Sequence, residues 1–330
     1  MSDSRVVELL FLNHDEVAGL LSVELVLDAV QTVLLEEARG KLTAGPATPM
    51  TVSSDGWLMA MPASLTTEGV AGVKWLGYFE RAQGSRIPTS WGSLLILNHI
   101  NNGLPYALLD ATDITAHRTA GGHAVVAAQA LARADANSLA ILGTGVQAKA
   151  GIIAFDKVFE LERIIVYSRT RAHLEQFVKR FDGIVRAKLV AAESPETLVR
   201  QADILLTCSA ATSPVIRAEW IKPGTTVIAV SAFHDLDPGL ASLVDRWYLG
   251  NRTSDWEHIV EYPEFANKLR GQQVSGTLGE VLSGKVPGRE HDGQRILFTH
   301  MGMGALDLAV GDRVYKRALE RGAGQRLRLT

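Results

Sequence analysis

Residues 138–148 read Ser-Leu-Ala-Ile-Leu-Gly-Thr-Gly-Val-Gln-Ala, and no other stretch constrains the fold so tightly. An apolar run ends in Gly143-x-Gly145-x-x-Ala148 and passes at once into a helix-forming segment. In that strand–turn–helix context, backbone N–H groups and the helix dipole receive a pyrophosphate. Gly143 permits the tight turn, Gly145 lets the backbone approach phosphate, and Ala148 lets the helix lie close to the sheet. Gly143, Thr144, Gly145, Val146 and Gln147 are therefore the expected cofactor-binding turn. The turn lies in mid-chain, so the block before it needs an architecture of its own.

From residue 137 onward, short apolar segments alternate with helical ones. Strands are expected at 138–142, 163–167, 187–191, 203–208, 226–231 and 245–249, and helices at 146–158, 171–181, 194–200 and 237–243. That rhythm predicts a parallel sheet with helices on both faces. The earlier block reads as mixed α+β. A strand is expected at 5–12, a capped helix start at Asn13, and a helix over 24–38 from the spacing of Leu25, Val26, Ala29, Val30, Val33 and Leu34. Strands follow at 57–61, 70–76, 93–98 and 104–110, while Gly45, Pro46 and Pro49 break regular structure across 43–53. Arg118 to Ala136 reads as one long helix of small residues, and 305–321 as an amphipathic helix that returns to the first block.

A chain of 330 residues exceeds what one core usually serves, so two domains are expected. A net charge of −3 gives no electrostatic reason for nucleic acid or an anionic membrane as partner. The apolar runs are too short to span a bilayer, and Asp3 and Glu8 spoil a signal peptide, so a cytoplasmic protein is expected. One cysteine, Cys208, excludes a disulfide within the chain and a cysteine-based metal centre. His117, His234 and His300 lack metal-ligand spacing, and no metal is expected.

The second expected strand of the alternating region ends Tyr167-Ser168-Arg169-Thr170-Arg171. Sites for NAD usually present an acid here to the ribose hydroxyls. Hydroxyls and arginines suit a 2′-phosphate instead, so NADP is expected in preference to NAD. Cys208 and Ser209 follow the fourth strand and should border the nicotinamide side. Val230 and Ser231, after the fifth, complete the expected cofactor-binding set.

Further motifs occur in order: Ala71-Gly-Val-Lys74-Trp75, Leu108-Leu-Asp110-Ala-Thr-Asp113, Ala116-His-Arg118-Thr-Ala120, the glycine turn, and Thr277-Leu-Gly-Glu280-Val. Together they resemble the ornithine cyclodeaminase/mu-crystallin family over nearly the whole chain. The resemblance implies an α/β protein in which a Rossmann NAD(P)-binding domain, residues 118–304, is inserted into an α+β substrate-binding and dimerisation domain, residues 1–117 plus 305–330. It also implies a homodimer. Lys74 matches the family's catalytic lysine, Arg118 an arginine that holds a carboxylate or phosphate, and Asp307 an acid near the nicotinamide end. The chemistry of these residue types agrees. A fixed arginine clamps a carboxylate, and a partly buried lysine donates a proton as its pKa falls. Arg118 is expected at a helix start, where its charge would call for an anionic partner.

The chain also departs from the family. Ala47 stands where many members carry a cation, Met59 where some carry an arginine, and Phe233 where the cyclodeaminases use an aspartate. Met59, Phe233 and His234 join Lys74 and Arg118 as expected substrate-binding residues, with His234, Asp235 or His300 available to replace the missing acid. These changes favour an NAD(P)H-dependent oxidoreductase of a small imino or amino acid, an imine reductase or amino-acid dehydrogenase. An ornithine cyclodeaminase-like ammonia lyase and a non-catalytic, nucleotide-holding protein are the alternatives. The ending Phe298-Thr-His-Met-Gly-Met-Gly-Ala-Leu-Asp307 is also similar to a cyclodeaminase-like branch associated with ectoine utilisation.

Overall fold

The computed structural model describes residues 6–45, 47–79, 91–230, 233–252, 255, 256, 259 and 274–330. The chain divides into one unit of Met1–Arg118 with Met303–Thr330 and a second of Thr119–Gly302.

The first unit runs β1 (Glu8–Leu12), α1 (His14–Leu20), α2 (Val23–Ala38), β2 (Leu42–Ala44), β3 (Thr48–Ser53), β4 (Gly56–Leu65), β5 (Val70–Phe79), β6 (Trp91–His99), β7 (Pro105–Asp110) and α3 (Thr112–Arg118). Asn13 starts α1 with a reciprocal capping box to Glu16. The described strands pair in the order β16-β1-β7-β6-β5-β4-β2, with β3 on β4 and β16 (Gln325–Arg328) closing the far edge. The 43–53 stretch is thus more regular than its prolines suggest. β2 and β3 both pair antiparallel with β4, and Pro49 sits on β3 at the margin of the sheet, where a missing N–H is tolerated.

One face of this sheet is dry and the other exposed, as period-2 alternation requires. On β5, Val70, Lys74 and Leu76 are buried, whereas Trp75 between them is 40% exposed. On β6, Leu95 and Leu97 are fully buried, while Leu94 and Ile96 face outward. The long C-terminal helix packs on the buried face together with α2. Its first residue, Gly304, is required sterically, because a Cβ there would lie 2.4 Å from the Met61 carbonyl oxygen.

In the second unit the small-residue helix is not one α-helix. A π-helical turn at Thr119–His123 follows α3, and α4 (Ala124–Leu131) ends five residues before Ala136. The helix also begins earlier, at Thr112, where Asp110 accepts from the Thr112 N–H at 3.0 Å. Then come β8 (Ser138–Leu142), α5 (Val146–Val158), β9 (Arg163–Tyr167), α6 (Arg171–Phe181), β10 (Lys188–Ala191), α7 (Pro195–Arg200), β11 (Ile204–Thr207), β12 (Thr226–Ala229), α8 (Leu240–Leu243), β13 (Arg246–Leu249), β14 (Gly276–Thr277), α9 (Leu278–Leu282) and β15 (Ile296–Thr299). The first unit then resumes with α10 (Gly304–Arg321).

The described strands of this unit pair wholly in parallel, in the order β10-β9-β8-β11-β12-β15-β13-β14. Ser138–Leu142 and Ile204–Thr207 are buried on both faces, as a sheet covered by helices demands. The order reverses between β8 and β11, and the crevice outside such a switch point is where this kind of sheet takes ligands. The expected 237–243 helix shrinks to α8, and β14, β15 and β16 were not foreseen. β15 is four residues after a polar loop, too short for periodicity to reveal. The Thr277-to-Glu280 motif is a capping box that starts α9: each side chain accepts the other's backbone N–H, at 2.8 and 3.2 Å. No single described helix is long and apolar enough to cross a membrane.

Candidate functional site

In the first unit, Lys74, Arg118 and Asp307 converge on one point. Lys74 occupies an inward position of β5, with Met61 and Leu95 as its cross-strand partners. It is 1% exposed. Its Nζ donates to Asp307 Oδ1 at 2.9 Å and to Thr115 Oγ1 at 3.3 Å. Arg118 Nε donates to the same Oδ1 at 3.2 Å. Asp307 lies in the first turn of α10, where the helix dipole favours an anion.

Arg118 is at the last residue of α3, not at a helix start. The helical backbone runs on from it through the π-turn into α4, so no helix end faces its charge, and the anion it needs is Asp307. Two cations on one carboxylate set its ionisation. Burial works to raise the Asp307 pKa, but Arg118 and Lys74 overcome it and hold the carboxyl below its ordinary range. Burial drives the Lys74 ammonium down to about 8, Asp307 resisting and Arg118 adding to the effect. The other carboxylate oxygen of Asp307, Oδ2, is buried without a hydrogen-bond partner among the described residues. Met59 shares the Lys74 face, since Met59 pairs with Leu76 two positions along the same strands.

In the second unit a cavity of about 640 Å³ opens outside the ends of β8 and β11. Of the residues expected to bind cofactor, Gly143, Thr144, Gly145, Ser168, Arg169, Thr170, Cys208 and Ser209 line it. Gly143 has φ +117°, and a Cβ there would meet the Cys208 carbonyl oxygen at 2.8 Å, so only glycine fits the turn. Gly145 starts α5 and has open space where its Cβ would be, the room a phosphate needs beside a helix N-terminus. The residues therefore fit a dinucleotide.

Val146 and Gln147 are not among the lining residues. Val146 points outward at 63% exposure, and the Gln147 side chain accepts from Ala120 N–H at 3.2 Å, tying α5 to the π-turn. Val230 is buried off the cavity, and Ser231 lies outside the described residues. Cys208 is half-buried at the cavity wall, and desolvation there pushes its thiol pKa well up and leaves it inert.

The structure does not bring Phe233 and His234 to the cavity either. The Phe233 ring is 2% exposed within the core of this unit, beside Ile216 and Leu236, and its φ of +61° is the left-handed value a bulky residue avoids. His234 is exposed. His300 packs edge-on against His123, with ring centres 3.8 Å apart, and its Nδ1 accepts from Gly302 N–H. Among the described residues no three His, Cys, Asp or Glu side chains gather to hold a metal.

Several lining residues were missed by sequence reasoning, three of them with basic side chains. Lys149, His173 and Arg180 join Arg169 at the cavity, and none of the described residues that line it is an acid. The spacing of His173, Gln176 and Arg180 along α6 puts them on one helical face, which was the available signal. Arg171, counted among the candidate phosphate ligands, is instead paired with Glu175 at 2.8 Å and does not line the cavity.

The second unit, a doubly wound parallel sheet with a glycine turn at its switch point, is a Rossmann fold. Residues 7–322 match the ornithine cyclodeaminase/mu-crystallin family, and the chain belongs to it. It is 30% identical to an alanine dehydrogenase of Archaeoglobus fulgidus over 98% of this chain and 99% of that protein. Two solved structures are similar, each at 26% identity. One is a Thermococcus litoralis Δ1-pyrroline-2-carboxylate reductase in complex with NADH and L-proline, with a TM-score of 0.89 over 96% of this chain and 99% of that one. The other is an archaeal alanine dehydrogenase dimer with bound NAD, with a TM-score of 0.88 over 98% and 100%.

A buried carboxylate shared by two buried cations is costly to break. Asp307→Asn is expected to cost about 3–5 kcal/mol in urea unfolding, because Lys74 and Arg118 lose their anion. A loss below about 1 kcal/mol, the scale of an exposed ion pair, would show that water reaches the cluster.

Proposed function

We propose that this protein is an NAD(P)H-dependent oxidoreductase that interconverts a small 2-imino acid and the corresponding amino acid, with imine reduction as its first direction. The observation that carries the reading is the Lys74–Asp307–Arg118 cluster, in a chain whose other unit carries a cation-lined dinucleotide cavity. The alanine dehydrogenase and the pyrroline carboxylate reductase among its relatives support it.

A nicotinamide cofactor, held by Gly143, Gly145, Ser168, Arg169 and Cys208–Ser209, would supply the hydride. Reduction of a C=N bond also needs a proton on nitrogen. Lys74, with a pKa of about 8, holds such a proton at neutral pH and releases it at modest cost. Arg118 offers a planar donor fork for the substrate carboxylate. Asp307 keeps both cations in place, and its Oδ2 can accept from the substrate's protonated nitrogen. Cyclodeamination would need a further acid to manage the amine, and Phe233, buried in the core, supplies none.

Screening NADPH and NADH with pyrroline-2-carboxylate, iminosuccinate and linear imines tests the activity. Lys74→Ala is expected to lower kcat about 10²–10⁴-fold. The wild-type rate of imine reduction should fall as pH rises through about 8, where Lys74 loses its proton. Ammonia release from ornithine without net turnover of cofactor would favour the cyclodeaminase instead.

We also propose that NADP is preferred over NAD, although the two solved relatives carry NADH and NAD. Arg169 beside Ser168 and Thr170, with no acid among the described residues that line the cavity, supports a 2′-phosphate. Arg169→Ala should weaken NADPH much more than NADH, and equal weakening of both would sink the preference.

A cytoplasmic homodimer is the third part of the proposal. Trp75 and Leu94 are cross-strand partners, 40% and 43% exposed, with Ile96 nearby on the same face, and an apolar patch of this kind suits a protein partner. The similar archaeal enzyme is a dimer. Sedimentation of wild type and Trp75→Glu checks this. Wild type should run as a dimer and the variant as a monomer, and a monomeric wild type overturns it.

A further inference from the structure

One buried carboxylate in the second unit is not used by this scheme, and it touches the cavity wall. Asp235 is 1% exposed. Its Oδ2 accepts from the Ser209 hydroxyl at 2.8 Å, and its Oδ1 from the Thr207 hydroxyl at 3.4 Å. Ser209 Oγ in turn accepts from Ala211 N–H at 3.3 Å. The Asp235 backbone carbonyl holds the other side, accepting from Val215 and Ile216 N–H at 2.9 and 2.8 Å. Cys208, Ser209, Ala210, Ala211 and Val215 all line the cavity. A single residue thus ties down both ends of that wall.

The turn that delivers Asp235 is under strain and firmly zipped. Phe233 has φ +61°, and its carbonyl closes the turn by accepting from Leu236 N–H at 3.0 Å. Leu236 bridges in parallel to Ile216, and Asp237 N–H reaches the Ile216 carbonyl at 2.9 Å. A non-glycine residue in this conformation costs about 1–3 kcal/mol and persists only where its surroundings over-determine it. Here the buried Phe233 ring and the Asp235 contacts do so.

We propose that Asp235 is a positioning residue for the cofactor: its carboxylate holds Ser209, and through it the Cys208–Ala211 wall, in the shape that receives the dinucleotide. This rests on the reading that the cavity takes NAD(P). The ionised carboxylate accepts from both hydroxyls, whereas a protonated carboxyl carries an O–H that must itself donate, so protonation rearranges this pair of contacts. Burial raises its pKa from the ordinary carboxylate value, with the Ser209 and Thr207 contacts opposing. As pH falls, the group therefore loses its charge sooner than an exposed aspartate. Its titratable neighbours are Cys208, whose thiol stays neutral, and His234, next in the chain.

The test is cofactor affinity by nucleotide fluorescence, with NADH for the pH series because the 2′-phosphate of NADPH titrates near 6. Asp235→Asn should raise Kd and KM for NADH and NADPH about tenfold or more, the scale of a hydrogen bond to a charged group, while kcat at saturating cofactor stays near wild type. Wild-type Kd for NADH should rise as pH falls and Asp235 takes up its proton, and that of Asp235→Asn should stay flat. Ser209→Ala carries the same test if Asp235→Asn fails to fold, and its affinity should lose the wild-type pH dependence. A wild type that binds while both variants match it in Kd and pH profile overturns the role of Asp235 alone. A wild type that binds neither nucleotide overturns the reading of the cavity itself.

Discussion

The first unit is organised around one carboxylate. Asp307 is fully buried and holds two cations that are almost fully buried as well. Separately, each of the three would pay the desolvation of an isolated charge. Together, in hydrogen-bonding geometry, they are tolerable. The arrangement requires partners 233 and 189 positions apart in sequence to meet, so α10 must return to the sheet formed by the chain's first part. Gly304 makes that return close enough, and the buried Met61 and Leu95 flank Lys74 on the neighbouring strands. The same dryness that makes the ions expensive brings the Lys74 pKa near neutrality, where proton transfer is useful.

The second unit solves a different problem with backbone in place of side-chain charge. A parallel sheet leaves a crevice where strand order reverses, and a helix N-terminus aims N–H groups into it. Glycine at 143 and 145 keeps that approach open. Specificity is left to side chains at the rim, Ser168 to Thr170 on one side and the Cys208–Ala211 segment on the other. Asp235 shows that the rim is itself supported from behind by buried polar contacts, much as Asp307 supports Lys74.

The legible parts of the sequence were those with local causes. The glycine turn, the alternation from residue 137 and the Asn13 cap each depend on a few neighbouring residues, and each formed where expected. Lys74, Arg118 and Asp307 could be named by resemblance, and their convergence then had to be found in space. Where expectation failed, a distant contact decided. Arg118 lies inside a helical stretch because the helix begins earlier, at Thr112 under Asp110, and the run of small residues after it passes through a π-turn that Gln147 holds. Arg171 resembled a phosphate ligand until Glu175 claimed it, one helical turn away on the same face. Phe233 was expected beside the substrate, in the place of an acid. The structure buries its ring in the core of the second unit, with a left-handed backbone, and its turn presents Asp235.

By itself the sequence determined the Rossmann unit, the mid-chain position of its glycine turn and the candidate charges, because strand periodicity, glycine sterics and residue chemistry are local properties. Only the tertiary structure decided which charges share a site, which cations face the cavity and which polar groups stand behind its wall. Burial and hydrogen bonding among residues hundreds of positions apart set pKa values and positions, and no spacing along the chain encodes them.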